Sequence, residues 1–385
     1  MKYIYLDSAS NNKMKKEVIK YYKKILSNKY LSNPSSLHYY GIKTRGYIEI
    51  AREKISKIIN CESSEIYFTS SGTEGNNIII KLIVNNLKIK NIITSKLEHL
   101  SVLKTILNIK KKNNNIKLYF IKNNSKGILD INKLKKILKK IKKENNLVSI
   151  MSINNEIGNI NNYNKIGKLC KKYNTYYHSD FVQYIGHYKI NIKKIFCDFL
   201  TASAHKFYGP LGIGFIYINK RINIKINIYY NNIKSSTNNI YGILGLYKAL
   251  QINNKNYKIE NKKILLLKKK CIKYLKKNIN NIKFNGLSNN LKKSSINILN
   301  IRLPIKDNLL HIKLELKGII ISKNSTCSNY SHVLKNIINK KEFKNTTSIR
   351  ISFNIFNKYL DIKLFIYELK NIINNNNNNF NLIKI

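Results

Sequence analysis

Lys206 stands in the string SAHKFYGP, just after the strand-like run FLTASA (199–204), and Asp180 closes the run TYYHSD (175–180), with Gln183 a turn later. His99 follows NIITS (91–95), and Asn155 follows LVSIM (147–151). The run IYFTS (66–70) leads into Ser71-Gly72-Thr73-Glu74-Gly75-Asn76, a Gly- and hydroxyl-rich turn that opens a helical pattern. Such a turn offers free backbone N–H groups and a positive helix end to a phosphate. A lysine, an acid and a phosphate cradle are together what pyridoxal phosphate demands. The lysine bonds its aldehyde, and an ionised acid keeps its ring nitrogen protonated so that the ring can accept electrons. Each residue also has a plainer reading alone: His99 as a capping or core histidine, Asp180 as an N-cap, Lys206 as one more surface lysine.

Cys327 raises a separate question. It sits in SKNSTCSNY (322–330), a small, polar stretch with no apolar period, which reads as an exposed loop. Free cysteine is normally buried, so a thiol here is either a nucleophile or a bystander. The local residues leave both open.

The elements that must position these groups follow a regular rhythm. Residues 13–27 and 42–59 carry apolar positions at three- and four-residue spacing and predict helices, with the polar loop SNPSSLH (32–38) between them. From residue 66 onward, β-branched runs at 66–70, 91–95, 117–121, 147–151 and 175–180 alternate with helical stretches. That alternation predicts βαβ units and a mainly parallel sheet, an α/β fold whose ligands sit at the carboxyl ends of the strands. Strands are also expected at 199–204 and 213–218. Beyond residue 259 come a long Lys-rich helix, strands at 295–302, 318–322 and 348–353, and a last helix at 360–373. These predict a large domain over 13–258, a smaller α+β domain from 1–12 and 259–373, and a tail over 374–385. The six-Asn run 374–379 is expected to fray, since it cannot pack a core.

Composition narrows the function classes. The chain has 385 residues, 43% of them hydrophobic, enough for a large core. No apolar run reaches the roughly 18 residues that span a bilayer. The N-terminal MKYIYLDSAS has no long apolar segment, which sets an expectation of a cytoplasmic protein. The five cysteines form no CxxC pair, against a disulfide framework or structural zinc and for a reducing compartment. The net charge of +52 fits a nucleic-acid or anionic partner. It also fits AT-rich codon bias, which overuses Lys, Asn, Ile and Tyr; the lysines are spread along the chain, so bias is preferred and direct nucleic-acid binding is doubtful.

The strings YLDSAS, NPSSLH, FTSSGTEGNN, SKLEH, SINNEIG, HSDFVQYIG, SAHKFYGPLGIG, NSTCS and SIRISF, in that order, resemble the cysteine desulfurases of the NifS and IscS type, class V aminotransferase-like enzymes dependent on pyridoxal 5′-phosphate. The resemblance covers about residues 3–373. It implies the type I fold of pyridoxal-phosphate-dependent transferases, a homodimer, and conversion of L-cysteine to L-alanine with sulfur passed to an enzyme cysteine as persulfide. It implies that Lys206 bonds the cofactor and shuttles the α-proton. Asp180 would partner the pyridine nitrogen, Gln183 the phenolic oxygen, and His99 would stack on the ring and help move protons. Gly72, Thr73, Ser203 and His205 would hold the phosphate, with Thr237 reaching the neighbouring subunit's phosphate. Asn33, Asn155 and Arg350 would face the substrate, Arg350 forking onto its carboxylate. Cys327 falls at the persulfide position.

The chain departs from the family pattern in places. The Gly-rich segment before Thr237 reads IYYNNIKSST, Lys234 replaces an arginine, and the loop after Cys327 is about four residues shorter by alignment to the IscS type. The resemblance implies a sulfur acceptor such as an iron–sulfur scaffold protein or a tRNA-thiolation enzyme. Two alternatives stay open: another pyridoxal-phosphate lyase or aminotransferase, which would not require Cys327, and a decayed basic RNA- or partner-binding protein, against which the retention of Lys206 and Asp180 counts.

Overall fold

The computed structural model describes residues 3–28, 31–222, 239–322 and 331–382, with side chains as far as residue 375. Its strands are β1 (Ile4–Tyr5), β2 (Ile66–Thr69), β3 (Asn91–Ser95), β4 (Lys117–Ile121), β5 (Asn146–Ser149), β6 (Tyr176–Asp180), β7 (Phe199–Ser203), β8 (Gly214–Ile218), β9 (Lys283–Phe284), β10 (Ile298–Leu303), β11 (Ile319–Ile320) and β12 (Thr347–Ser352). The helices of the first half are α1 (Lys16–Leu26), α2 (Tyr39–Ile59), α3 (Gly72–Asn86), α4 (Leu100–Lys112), α5 (Ile131–Lys140), α6 (Tyr163–Lys172) and α7 (Ile192–Ile195). Then come α8 (Ile240–Asn278), α9 (Leu310–Leu316), α10 (His332–Lys335), α11 (Lys340–Asn345) and α12 (Tyr359–Leu382).

A seven-stranded sheet in the order β2-β8-β7-β6-β5-β3-β4 forms the frame. Only β8 runs against its neighbours; the other pairings are parallel. Successive residues along its strands enter different cores. Ile92, Leu147, Phe199 and Ile216 join one apolar cluster, while Ile93, Val148, Leu200 and Phe215 join another. This is the period-two alternation of a strand buried on both faces. The carboxyl ends of β2, β3, β5, β6 and β7 therefore lie along one edge of the sheet.

The small lobe is a three-stranded antiparallel sheet, β12-β10-β9, with the parallel pair β1-β11 beside it. Its core unites Leu6 with Leu299, Ile301, Ile351, Phe353 and Phe365. The chain start is stitched in by Leu6 N–H to Ile320 O at 2.8 Å and Ser352 N–H to Leu6 O at 2.7 Å. That stitching carries Asp7–Asn12 across to the edge of the large sheet.

Two expectations are corrected. The long helix begins at Ile240, not past residue 259; its first turns are so fully buried that they show no amphipathic period, and Asn239 caps them by accepting from Gly242 N–H. The Asn run is helical along its backbone, since α12 continues through it to Leu382. Helical hydrogen bonds are made by the main chain, and Asn costs only ~0.7 kcal/mol or less per residue relative to Ala. Among the described residues no helix is long and apolar enough to cross a membrane.

Lys268 on α8 is fully buried, its Nζ donating to Ser294 Oγ at 2.8 Å and Ser295 O at 2.6 Å. Burial pushes its pKa down to about 7. Between that value and the unfolded value of about 10.4, only the unfolded chain takes up the proton. The stability Lys268 contributes is complete above the unfolded pKa and falls as pH drops through this window, by up to ~1.4 kcal/mol per pH unit. Denaturant titrations should therefore show the wild type gaining stability relative to Lys268→Met from about pH 7 to about pH 10. A difference that does not change with pH would refute the assignment.

Candidate active site

The edge where five strands end encloses a cavity of about 270 Å³, lined by residues that include Gly72, Thr73, His99, Asn155, Asp180, Gln183, Ser203, His205, Lys206 and Arg350. Residues from both lobes and from the N-terminal segment thus meet in one space.

One end of the cavity is built for an anion. Helix α3 starts at Gly72, and the N-cap Ser71 Oγ accepts from Glu74 N–H at 3.1 Å. The first-turn N–H groups of Gly72 and Thr73 have no intrahelical partner, as at any helix start. A Cβ at Gly72 would lie 2.7 Å from Val182 Cγ2 and 3.5 Å from Ser203 Cβ, so the close approach of the turns after β6 and β7 requires glycine. Ser203 Oγ meets His205 Nδ1 at 3.0 Å. Burial, then the charge of Lys206, lowers His205 to about 4, so it is neutral at physiological pH.

The middle is set by Asp180 at the end of β6. Its Oδ1 accepts from Val182 N–H at 2.9 Å and its Oδ2 from Asn76 Nδ2 at 2.8 Å. Gln183 Nε2 donates to Ala9 O at 3.0 Å. His99 caps α4, with Nδ1 accepting from Ser101 N–H at 3.1 Å and meeting Ser101 Oγ at 2.7 Å. Burial lowers its pKa, with Lys206 and His332 acting in the same sense and Asp180 opposing.

Lys206 lies in the turn after β7. Its backbone carbonyl is gripped by Asn12 Nδ2 at 2.6 Å and His187 Nε2 at 3.0 Å, while Nζ donates to Ala9 O at 2.7 Å and Ser10 O at 2.5 Å. Opposite, β12 presents Arg350, which is 2% exposed. Nη2 donates to Asp7 Oδ1 at 2.8 Å and Ser10 Oγ at 2.7 Å, and Nη1 to Asn155 O at 2.8 Å. Nε is buried with no partner among the described residues.

Two buried acids stand behind this wall. Both oxygens of Glu98 accept from Met151 N–H, at 3.1 and 3.0 Å, and burial raises the Glu98 pKa. Glu156 is raised to about 7 by burial, against the pull of the Ser331 hydroxyl and Arg350. His332 Nε2 reaches the Glu98 carbonyl at 2.8 Å.

Cys327 and Thr237 lie outside the described residues. The flanks of the Cys327 stretch are described: Ser322 and Arg350 exchange backbone hydrogen bonds of 3.2 and 3.0 Å, and the Ser331 hydroxyl donates to Glu156. Both flanks are thus fastened to residues that line or back the cavity. Asn33 is exposed in the loop before α2, its Oδ1 accepting from Ser35 N–H at 2.9 Å, and it does not line the cavity. The sequence pattern does not single out Asp7, Ser10, Asn76 or Ser101 as site residues, although Asp7, Ser10 and Asn76 lie inside the motifs YLDSAS and FTSSGTEGNN.

The residues present suit pyridoxal phosphate on the structure's own terms. A helix start opened by Gly72, a buried carboxylate and a lysine amine face one cavity with room for a ring bearing a phosphate arm. Among the described residues no cluster of His, Cys, Asp and Glu could hold a metal ion.

Comparison with known proteins agrees with this geometry. The family model described as aminotransferase class-V matches residues 4–365. A Dictyoglomus turgidum protein named cysteine desulfurase IscS is 37% identical over 380 residues, spanning 96% of this chain and 94% of that one. A Clostridium botulinum (strain Hall) protein of the same name is 35% identical over 382 residues, spanning 97% and 94%. A solved structure named NifS-like protein aligns with a TM-score of 0.86 at 29% identity, covering 97% of this chain and 99% of its own.

Proposed function

We propose how each residue serves the reaction, from the premise that this chain belongs to the class-V aminotransferase family and is a pyridoxal-phosphate-dependent cysteine desulfurase of the NifS and IscS type. The observation that carries the reading is the convergence of Lys206, Asp180 and the start of α3 on one cavity. When bound, pyridoxal phosphate supplies a ring that spreads the electrons left behind when the substrate loses its α-proton.

Gly72, Thr73, Ser203 and His205 would hold the phosphate, with Thr237 of a neighbouring subunit joining them. Asp180, kept in place by Asn76 and Val182, would hold the ring nitrogen, Gln183 the phenolic oxygen, and His99 the ring face. Lys206 would hold the cofactor through Nζ, and its amine is the group placed to move the substrate's α-proton. Arg350 takes the substrate carboxylate, its guanidinium oriented at the cavity wall by Asp7, Ser10 and Asn155. Asn155, which lines the cavity, completes the substrate side.

Cys327 supplies the nucleophile. Its thiolate attacks the substrate sulfur, the S–S bond forms as the C–S bond breaks, and the carbon is protonated to give alanine. Atoms and electrons balance with no further oxidant: L-cysteine and a thiol become L-alanine and a persulfide. Support comes by exclusion among the described thiols. Cys61 is pushed up to about 12, chiefly by burial, and burial likewise raises Cys170, Cys197 and Cys271, so all four stay protonated.

The protein works as a cytoplasmic homodimer that hands sulfur to an iron–sulfur scaffold protein or a tRNA-thiolation enzyme. The exposed apolar residues Leu37, Tyr39 and Ile42 at the start of α2 support a subunit contact. The test is product analysis. A yellow, cofactor-loaded protein given L-cysteine and a thiol reductant should release alanine and sulfide in equal amounts. A colourless protein, or pyruvate and ammonia as products, would overturn the reading.

A further inference from the structure

We infer that Ser101 and Asn76 are positioning residues that hold His99 as its Nε2–H tautomer, so that the imidazole offers the cavity a hydrogen-bond donor and not a base.

Asp180 sets the direction of every bond in the chain, because its two carboxylate oxygens accept from Val182 N–H and from the Asn76 amide. Asn76 must therefore turn its amide nitrogen toward Asp180 Oδ2, 2.8 Å away. The same nitrogen lies 2.9 Å from Ser101 Oγ, so its second hydrogen goes there and the hydroxyl oxygen is an acceptor. The Ser101 hydroxyl hydrogen is then left for His99 Nδ1, at 2.7 Å. The backbone N–H of Ser101 points at the same Nδ1, at 3.1 Å. A nitrogen that receives two donors carries a lone pair, so the imidazole proton resides on Nε2. Among the described residues no protein group accepts from Nε2, while His99 lines the cavity. An amide cannot pass a proton along, so the chain fixes a tautomer and does not relay one.

The charged and titratable groups facing His99 are Asp180, Lys206 and His332. The hydroxyl bond favours the neutral imidazole alongside Lys206 and His332 and against Asp180, because it is a bond only that form can accept. Base duty at the substrate's α-carbon falls to Lys206. This assignment rests on reading the cavity as the cofactor site, but its test does not pass through turnover, so the two can fail separately.

The experiment is a ¹H–¹⁵N correlation spectrum of the cofactor-loaded protein with ¹⁵N-labelled histidine, His99 being assigned by its loss in His99→Gln. The wild type should show an unprotonated Nδ1 and a protonated Nε2 through neutral pH. In Ser101→Ala, loss of one bond worth ~1 kcal/mol should raise the His99 titration midpoint by about half a pH unit to one unit. Ser101→Thr, which keeps the hydroxyl, should restore it. A wild-type proton on Nδ1, or a midpoint unchanged in Ser101→Ala, overturns the inference. The wild-type spectrum decides the tautomer even if the alanine variant fails to fold.

Discussion

Lys206→Ala will leave a folded protein with no covalently held cofactor and turnover reduced at least ~10⁴-fold, the upper range for losing a positioned acid–base group, here combined with loss of the covalent link. The fold should survive because the neighbourhood is held by the Lys206 backbone: Asn12 and His187 bind its carbonyl in the variant as in the wild type. What disappears is Nζ, which in the structure bridges the carbonyls of Ala9 and Ser10 at the cavity wall. The phosphate cradle and Asp180 remain, so cofactor should still bind reversibly. Borohydride reduction followed by mass spectrometry separates the two states. The wild type should gain the mass of the reduced cofactor on the peptide containing Lys206, and the variant should gain nothing. A variant that still fixes cofactor, or turns over at a tenth of the wild-type rate, would remove Lys206 from the mechanism.

Cys327→Ser should give a yellow protein that binds L-cysteine and shifts its absorbance but releases sulfide at least ~10³-fold more slowly, on the scale seen for lost nucleophiles. Serine keeps the size of the side chain and removes the chemistry, because a hydroxyl neither ionises near neutrality nor accepts sulfur. No described thiol can substitute, since Cys61, Cys170, Cys197 and Cys271 are all held protonated by burial. In the wild type, alkylation after a substrate pulse should trap an extra sulfur on the peptide carrying Cys327, releasable by a reductant. Equal sulfide release by wild type and variant would make the cysteine a bystander and the protein a pyridoxal-phosphate lyase.

Much of this site is legible in the amino-acid sequence, for a physical reason. In a parallel sheet buried on both faces, strands are short apolar runs, and polar groups are expelled to their carboxyl ends. His99, Asn155, Asp180 and Lys206 stand out as polar residues closing such runs, and Gly72 as a glycine at a helix start. The groups that orient them are silent. Asp7 holds Arg350 across 343 positions, and Asn76 holds Asp180 across 104. A single sequence carries no record of which distant polar residues become partners. Asn33 shows the converse: a motif residue that lies exposed and apart from the cavity. The Asn run misleads through composition, since side-chain polarity says little about whether a backbone continues a helix that is already nucleated.

Helix α8 has 39 residues and so runs about 58 Å without a break. Its first part packs Ile243, Leu246 and Leu250 into the core of the large sheet, and its last part packs Ile264, Leu267, Cys271 and Leu275 into the core of the small lobe. Between them Asn253 Nδ2 binds Phe207 O at 2.6 Å and Glu260 pairs with Lys15 at 2.6 Å, so the bridging turns are themselves anchored beside Lys206. One rod shared by two cores makes them a single cooperative unit. Melting either lobe would strip apolar contacts from its own half of the rod, and with them the fixed relation between the lobes from which the cavity draws Lys206 and Arg350.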